Sequence, residues 1–515
     1  MHSFFKLFAS CLLVLLVAGC TGTTTTYEAP TLESIDQVVQ QGPYSEDWST
    51  MQNYPVPEWY QDAKFGIFIH WGVYSVPAFA SEHYPRMMYE DKDSWRGNPF
   101  QYHLKTFGPH KTFGYKDFIP MFKAEKFDPA AWADLFVESG AKYVVPVAEH
   151  HDGFPMYDCS YSQWDAVDMG PKRDIVTELE KTCRERGLYF GVSSHRANLW
   201  RYFAYDESFD TTDPANADFY WEPHDKNDPP TKEYKDDWLL RTAEMVDKFK
   251  PDLVWFDFGI RMDGFDPYNS RFASYYYNRA KEWGMDVAIN YKNDYYPEGT
   301  AVLDLERGKL EGIRKMLWQT DTSVCTRSWG YVNNHDYKSV DSLVDDFVDI
   351  VSKNGLMLLN IGPRPDGTIP DEQQKILREM GQWLKVNGEA IYGAGYWKVY
   401  GEGPTEGLTG HMSERKRAKD GTVSAVGDSF VADDIRFTTQ GNDVYAITLG
   451  WKDTQWNIAS LGKSSQHMDG KTITGVSLVG SDENITWEQT GDALVIQAPS
   501  QKPCDHAFAF KVTVQ

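Results

Sequence analysis

The run Leu253-Val254-Trp255-Phe256 ends in Asp257, an acid at the tip of a stretch that should be buried. A carboxylate there costs free energy unless it is paired with a cation or put to use. Put to use, it can attack an anomeric carbon. Retaining chemistry then needs a second carboxyl about 5–5.5 Å away to give and recover a proton. Glu306, closing Val302-Leu303-Asp304-Leu305, is the natural second member. The bland alternative makes Asp257 a core acid bonded to Lys292 or Arg307, and Glu306 the ion-pair partner of a neighbouring arginine. At the level of residue types both readings stand.

Asp257 is one of several polar groups that end apolar runs. The others finish at His70, at His150-His151-Asp152, at His195, at Lys292, at Glu306-Arg307, at Gln319 with Asp321, and at Asn360. Strand-like runs cover 65–70, 143–149, 188–194, 253–257, 286–291, 301–306, 316–320 and 356–361. Helical patterns fall between most of them, at 128–139, 173–186, 233–249, 269–284, 338–354 and 371–391. Short buried strands alternating with helices and spilling polar groups at one end predict an α/β fold, a parallel (β/α)8 TIM-like barrel with its site on the C-terminal rim. Little room remains for helices between the fifth, sixth and seventh runs, so the barrel is expected to be irregular there. Segments 73–124 and 196–232 exceed ordinary connections and fall where barrel enzymes place specificity loops. A metal site at His150-His151-Asp152 is disfavoured, because consecutive strand residues face opposite sides.

Beyond residue 395 the texture changes to short alternating stretches such as Val444-Tyr445-Ala446-Ile447-Thr448-Leu449, separated by Gly, Asp and Asn. That pattern predicts a C-terminal antiparallel β-sandwich over 396–515, after a catalytic barrel over 51–395. At the other end, Lys6 precedes the apolar run Leu12-Leu13-Val14-Leu15-Leu16, too short for a comfortable membrane span. Val17-Ala18-Gly19-Cys20 follows and resembles a bacterial lipobox, which implies a signal peptide over 1–20, a lipid on Cys20 and membrane attachment. Thr21 after the cysteine resembles cargo sent to an outer membrane. Residues 21–50 then read as linker and N-terminal extension.

Composition narrows the partners. A net charge of -24 argues against nucleic acid or anionic membrane held by bulk charge. Aromatic residues make up 15 % of the chain, with 18 Trp and 30 Tyr, a surplus suited to platforms for sugar faces. Cys159, Cys183, Cys325 and Cys504 are scattered without close-spaced metal pairs.

Longer blocks sharpen this. FGIFIHWGVYSVPAFASEHY at 65–84, HHDGF at 150–154, WFD at 255–257, SWGY at 328–331, LLNIGPRPDG at 358–367 and WLKVNGEAIYG at 383–393 together resemble the α-L-fucosidases of glycoside hydrolase family 29. The resemblance implies an irregular (β/α)8-like barrel followed by a β-sandwich, and release of terminal α-L-fucose with retention, without metal or other cofactor. Fucosylated oligosaccharides or fucans would be the substrates. It places the nucleophile at Asp257, and fucose-hydroxyl contacts at His70, Glu82, His150 and His151, with Trp255 as a pocket aromatic. His195 falls where many relatives carry Tyr or Ser, Lys292 near a position often held by Arg, and His83 where an aromatic is common. A frequent Trp-Glu pair appears as Trp318-Gln319, and a glutamine cannot cycle a proton. The acid/base is therefore expected at Glu306, with Glu298 as fallback and Asp321 third. Arg307 and the histidines would keep Asp257 ionised, and Arg307 would join the substrate contacts. The competing readings are a metal-dependent barrel hydrolase and a non-catalytic fucose-binding lipoprotein.

Overall fold

The computed structural model describes residues 27–415 and 430–515, so the lipobox-like run and Cys20 lie outside the described residues. Eight strands form a closed barrel in sequence order: β1 (Phe65–Ile69), β2 (Tyr143–Glu149), β3 (Tyr189–Ser194), β4 (Leu253–Phe256), β5 (Ala288–Lys292), β6 (Val302–Asp304), β7 (Trp318–Ser323) and β8 (Gly355–Ile361). Neighbouring pairs are parallel, and β8 closes on β1. Most of the strands were visible in the sequence as apolar runs because both of their faces are covered, whereas β7 is polar beyond Trp318. Inward residues such as Phe68, Val145, Val147, Leu253, Trp255, Leu356 and Leu358 pack on one another. Their outward neighbours Ile67, Val144, Val254, Met357 and Leu359 pack under the helices.

Those helices run Pro129–Glu138, Ile175–Glu185, Lys232–Phe249, Asp266–Trp283, Val340–Ser352 and Asp371–Asn387. Their starts follow side-chain chemistry: Asp128, Asp174, Thr231 and Ser339 each accept a backbone N–H of the first turn. Among the described residues no helix separates β5 from β6 or β6 from β7, and β6 has only three residues. The barrel is irregular where the sequence lacked room.

One element was not foreseen. Within the stretch read as linker and extension, Leu32–Gln41 forms a helix with a Thr31–Ser34 capping box, burying Ile35 and Val39. It packs on helix Asp266–Trp283, where Arg271 bonds to Leu32 O and Asp36. The two long segments form short helices that interlock above the rim. Tyr89 and Tyr220 both donate to Asp210, at 2.6 and 2.7 Å.

The C-terminal region holds β9 (Gly395–Glu402), β10 (Ile435–Gln440), β11 (Asp443–Thr448), β12 (Gln455–Ile458), β13 (Ile473–Leu478), β14 (Trp487–Gln489), β15 (Leu494–Gln497) and β16 (Phe508–Val514). They make an antiparallel sheet ordered β13-β16-β11-β10-β9 and a second ordered β12-β15-β14. Trp397, Phe437, Trp456, Leu494, Ile496, Phe508 and Phe510 fill the interior. A buried ionic seam joins this region to the barrel. Asp349 accepts from Arg436 at 2.6 Å and from Lys353 at 2.7 Å. The four described cysteines are all free thiols. Among the described residues no helix is long and apolar enough to cross a membrane.

Candidate active site

Asp257 is the first residue past β4, held on the C-terminal rim where the strand's last aromatic, Phe256, turns outward into the core. Its Oδ2 faces His151 Nε2 at 3.0 Å and His195 Nδ1 at 3.1 Å, and its Oδ1 lies 3.2 Å from Lys292 Nζ. Burial works to raise its pKa. The Lys292 charge and the two imidazole hydrogen bonds overcome that and hold the carboxyl well below the usual carboxylate range. Asp257 therefore stands as a carboxylate.

Lys292, the last residue of β5, is the hub. Its ammonium lies 2.7 Å from Glu306 Oε2 and 3.5 Å from Asp321 Oδ2, and sits over the rings of Trp255 and Phe258, 4.8 Å from each centroid. Burial alone would lower its pKa, but Asp257, Asp321 and Glu306 drive it well above the ordinary value. Beneath it, burial raises the carboxyls of Asp321 and Asp304, and the charge of Asp304 raises Asp321 further, so this hydrogen-bonded pair can share a proton.

His70, His150 and His195 are held as neutral donors and acceptors. His70 Nδ1 donates to Asn360 Oδ1 at 2.7 Å, and its ring stacks on Trp329 at 5.2 Å. His195 faces Asp257 through Nδ1 and accepts from Ser193 Oγ through Nε2, and burial lowers its pKa to about 4. Burial also lowers His70 and His150 well below the usual range. Glu82 accepts from Ser328 Oγ and the amides of Trp329 and Gly330, at 2.9, 2.8 and 3.3 Å. Burial would raise it, but His83, its own amide and that of Trp329 bring it down to about 2.

Together His70, Glu82, His83, Arg86, His150, His151, His195, Asn198, Trp255, Asp257, Phe258, Lys292, Glu306, Asp321 and Trp329 enclose a cavity of about 250 Å³. That is below the range of drug-sized pockets and fits one sugar ring.

Three sequence expectations need correction. Glu298 precedes β6 at the opposite, N-terminal end of the barrel, is 68 % exposed, and bonds to Arg314 at 2.7 Å; it cannot reach the cavity. Arg307 adjoins Glu306, yet a positive φ of 42° turns it away. Its guanidinium lies behind Trp329, 4.3 Å from the ring, and donates to Cys325 O at 3.1 Å, so it backs the wall and does not line it. His150 and His151 do share the site, with ring centroids 4.6 Å apart. β2 ends at Glu149, so both belong to a turn, where strand alternation no longer applies.

His83, Arg86, Asn198, Phe258 and Trp329 join the lining without having been assigned to it. Trp329 and His83 stood inside quoted motifs and Phe258 next to one; Arg86 and Asn198 carried no local signal. Two groups, His70–His150–His195 and His151–His195–Asp257, bring ligand atoms within 4.8 Å of one another and could geometrically hold a cation. The hydrogen bonds of His70 and His195 commit one nitrogen of each to protein partners.

A buried carboxylate pair bridged by one lysine, at the C-terminal rim of an eight-stranded barrel with a single-sugar cavity, is the arrangement of a barrel glycosidase. Sequence profiles agree in detail. The profile described as Alpha-L-fucosidase matches residues 31–389, and that of the Alpha-L-fucosidase C-terminal domain matches residues 428–513. The plasma alpha-L-fucosidase of Homo sapiens is 32 % identical over 494 residues, covering 90 % of this chain and 91 % of its own. An alpha-L-fucosidase of Branchiostoma floridae is 30 % identical over 495 residues, covering 91 % and 95 %. The crystal structure of Thermotoga maritima alpha-fucosidase superposes with a TM-score of 0.71 at 31 % identity, covering 91 % of this chain and all of that one. The same bacterial enzyme has been solved in complex with fucose, with a TM-score of 0.70 to this chain at 30 % identity. The chain belongs to the α-L-fucosidase family of glycoside hydrolases.

Proposed function

We propose that the chain releases terminal α-L-fucose from fucosylated oligosaccharides or fucans with retention, by double displacement. Fucose occupies the cavity, its hydroxyls meeting His70, Glu82, His150 and His151 and its C6 methyl an aromatic wall that includes Trp255. Asp257 attacks the anomeric carbon as the bond to the leaving oxygen breaks, and Glu306 passes its proton to that oxygen. In the second half, Glu306 takes a proton from water, whose oxygen attacks the same carbon and frees Asp257.

The observation that carries this reading is the shared Lys292. Two carboxyl groups touching one ammonium, at 3.2 and 2.7 Å, have contacting oxygens no farther apart than those contacts laid end to end. That suits a retaining pair at about 5–5.5 Å better than an inverting pair at about 6.5–9.5 Å. Gln319 supports the choice of Glu306, because its side chain is spent on Tyr60, Tyr143 and Asp304 in the barrel floor. NMR of the first-formed sugar from an aryl α-L-fucoside tests the mechanism: α-fucose is expected, and β-fucose as first product would refute it. A panel of α-1,2-, 1,3-, 1,4- and 1,6-fucosides, with sulfated oligosaccharides, then reads the linkage. The metal-dependent reading predicts loss of activity on exhaustive chelation, whereas undiminished turnover is expected.

We also propose export, with Cys20 lipidated and the protein anchored at a bacterial membrane, the outer one being favoured by Thr21. Detergent-phase partitioning that persists in Cys20→Ser would argue against it.

A further inference from the structure

The rim around Glu306 is not made by the barrel alone. Segment 408–414 lies beyond β9, yet it runs back along the residues after β6. Met412 N–H donates to Glu306 O at 2.8 Å, Glu414 N–H to Arg307 O at 3.1 Å and Gly410 N–H to Lys309 O at 2.7 Å. The Glu414 carboxylate accepts from Thr322 Oγ1 at 2.9 Å and Lys338 Nζ at 2.6 Å, and lies 3.7 Å from Arg307. The fit is close at Gly308, where a Cβ would come within 2.5 Å of Gly410 O. Where the barrel lacks a helix between β6 and β7, this strap fills the place.

The strap exposes His411, whose ring meets that of Phe258 edge-to-face with centroids 6.3 Å apart and lies near enough to feel the charges of Glu306, Lys292 and Asp257. Phe258 is itself part of the cavity wall and only half-buried. His411 does not line the enclosed cavity, so it stands outside the space for the first sugar, on the side where Glu306 must meet the leaving oxygen.

We propose that His411 and Phe258 form the subsite for the group that fucose leaves behind, and that this group is a saccharide. An imidazole can both donate to and accept from sugar hydroxyls, and a phenyl face suits the C–H face of a pyranose. The inference rests on Asp257 and Glu306 having the roles given above. It makes His411 a specificity residue contributed from beyond the barrel's last strand.

The test compares two substrates on the full-length chain: an α-fucosyl disaccharide, which fills the subsite, and α-L-fucosyl fluoride, which leaves it empty. His411→Ala is expected to lower kcat/KM for the disaccharide about tenfold, the worth of one good hydrogen bond, mainly through KM. Turnover of the fluoride and inhibition by free fucose should stay within about twofold of wild type. His411→Gln, which keeps a donor and an acceptor, should recover part of the loss. Gly308→Ala keeps the imidazole in the chain but denies the strap its seat, and should show at least the disaccharide defect of His411→Ala. Equal losses on both substrates in His411→Ala, or none on the disaccharide, would overturn the proposal. A wild-type protein that releases fucose from neither substrate would instead refute the assigned function.

Discussion

The interiors of the barrel and of the C-terminal sandwich are built from opposite materials. The sandwich is filled with Trp397, Phe437, Trp456, Phe508 and Phe510, and its two sheets meet through apolar side chains. The barrel's interior is apolar in its middle layer, but its rim buries Asp257, Lys292, Glu306, Asp321 and four histidines. Asp304, Asn290, Gln319, Tyr60 and Tyr143 extend that polar character into a network on the barrel floor. Buried ions contribute little to stability, because desolvation offsets their attraction. The difference teaches that one region is packed to stay folded while the other spends part of its folding energy on a charged, preorganised site.

Four substitutions would break or sharpen that contrast. The largest effect is expected from Asp257→Ala, which should cut kcat on the order of 10⁴-fold while leaving the fold intact, as circular dichroism would confirm. Azide or formate should restore part of the activity by filling the vacated position. A folded variant with near-normal turnover would remove Asp257 from the mechanism. In the sandwich the expectation is reversed. Trp456→Ala should cost about 3–5 kcal/mol in denaturant unfolding, as for other large-to-small core changes, with kcat/KM unchanged wherever the protein remains folded. Selective loss of catalysis there would erase the division of labour.

Lys292→Met removes the cation that does most to keep Asp257 ionised. Because that charge depresses the carboxyl, its loss must raise the pKa. The acid limb of the kcat/KM profile should therefore move to higher pH, by about one to three units. An unmoved limb would mean that another group controls it.

The last test belongs to the seam between the two regions. Burial, with Asp341 and Asp346 adding, pushes the Asp345 carboxyl up to about 8. Between the ordinary aspartate value and that pKa, the folded chain keeps a proton that the unfolded chain has lost, so this group's contribution to stability falls as pH rises. Asp345→Asn escapes the loss. Its Tm advantage over wild type should be negligible near pH 4, grow toward pH 8 and then level off, and an advantage that shrank with pH would contradict the assignment.

Much of this was legible in the sequence, and the limits have physical causes. Strands covered on both faces betray themselves as apolar runs, and a residue that interrupts such a run, as Asp257 does, announces a special role. Glu306 was placed by the end of its run, and Glu298, kept as a fallback, falls before β6 and bonds to Arg314. Arg307 looked like a site residue because it neighbours Glu306; only the turn's positive φ shows that it points elsewhere. His411 could not be found from spacing at all. It reaches the site by a return path through a segment outside the barrel, and nothing local records that path.

The strap also gives the molecule an order in time. The last of the eight strands ends at Ile361, and the bond that the backbone of Glu306 receives from Met412 comes from a segment farther along the chain. A barrel that closes before segment 408–414 docks therefore leaves Glu306 without its final support, so the rim is completed by the docking of that segment and not by barrel closure.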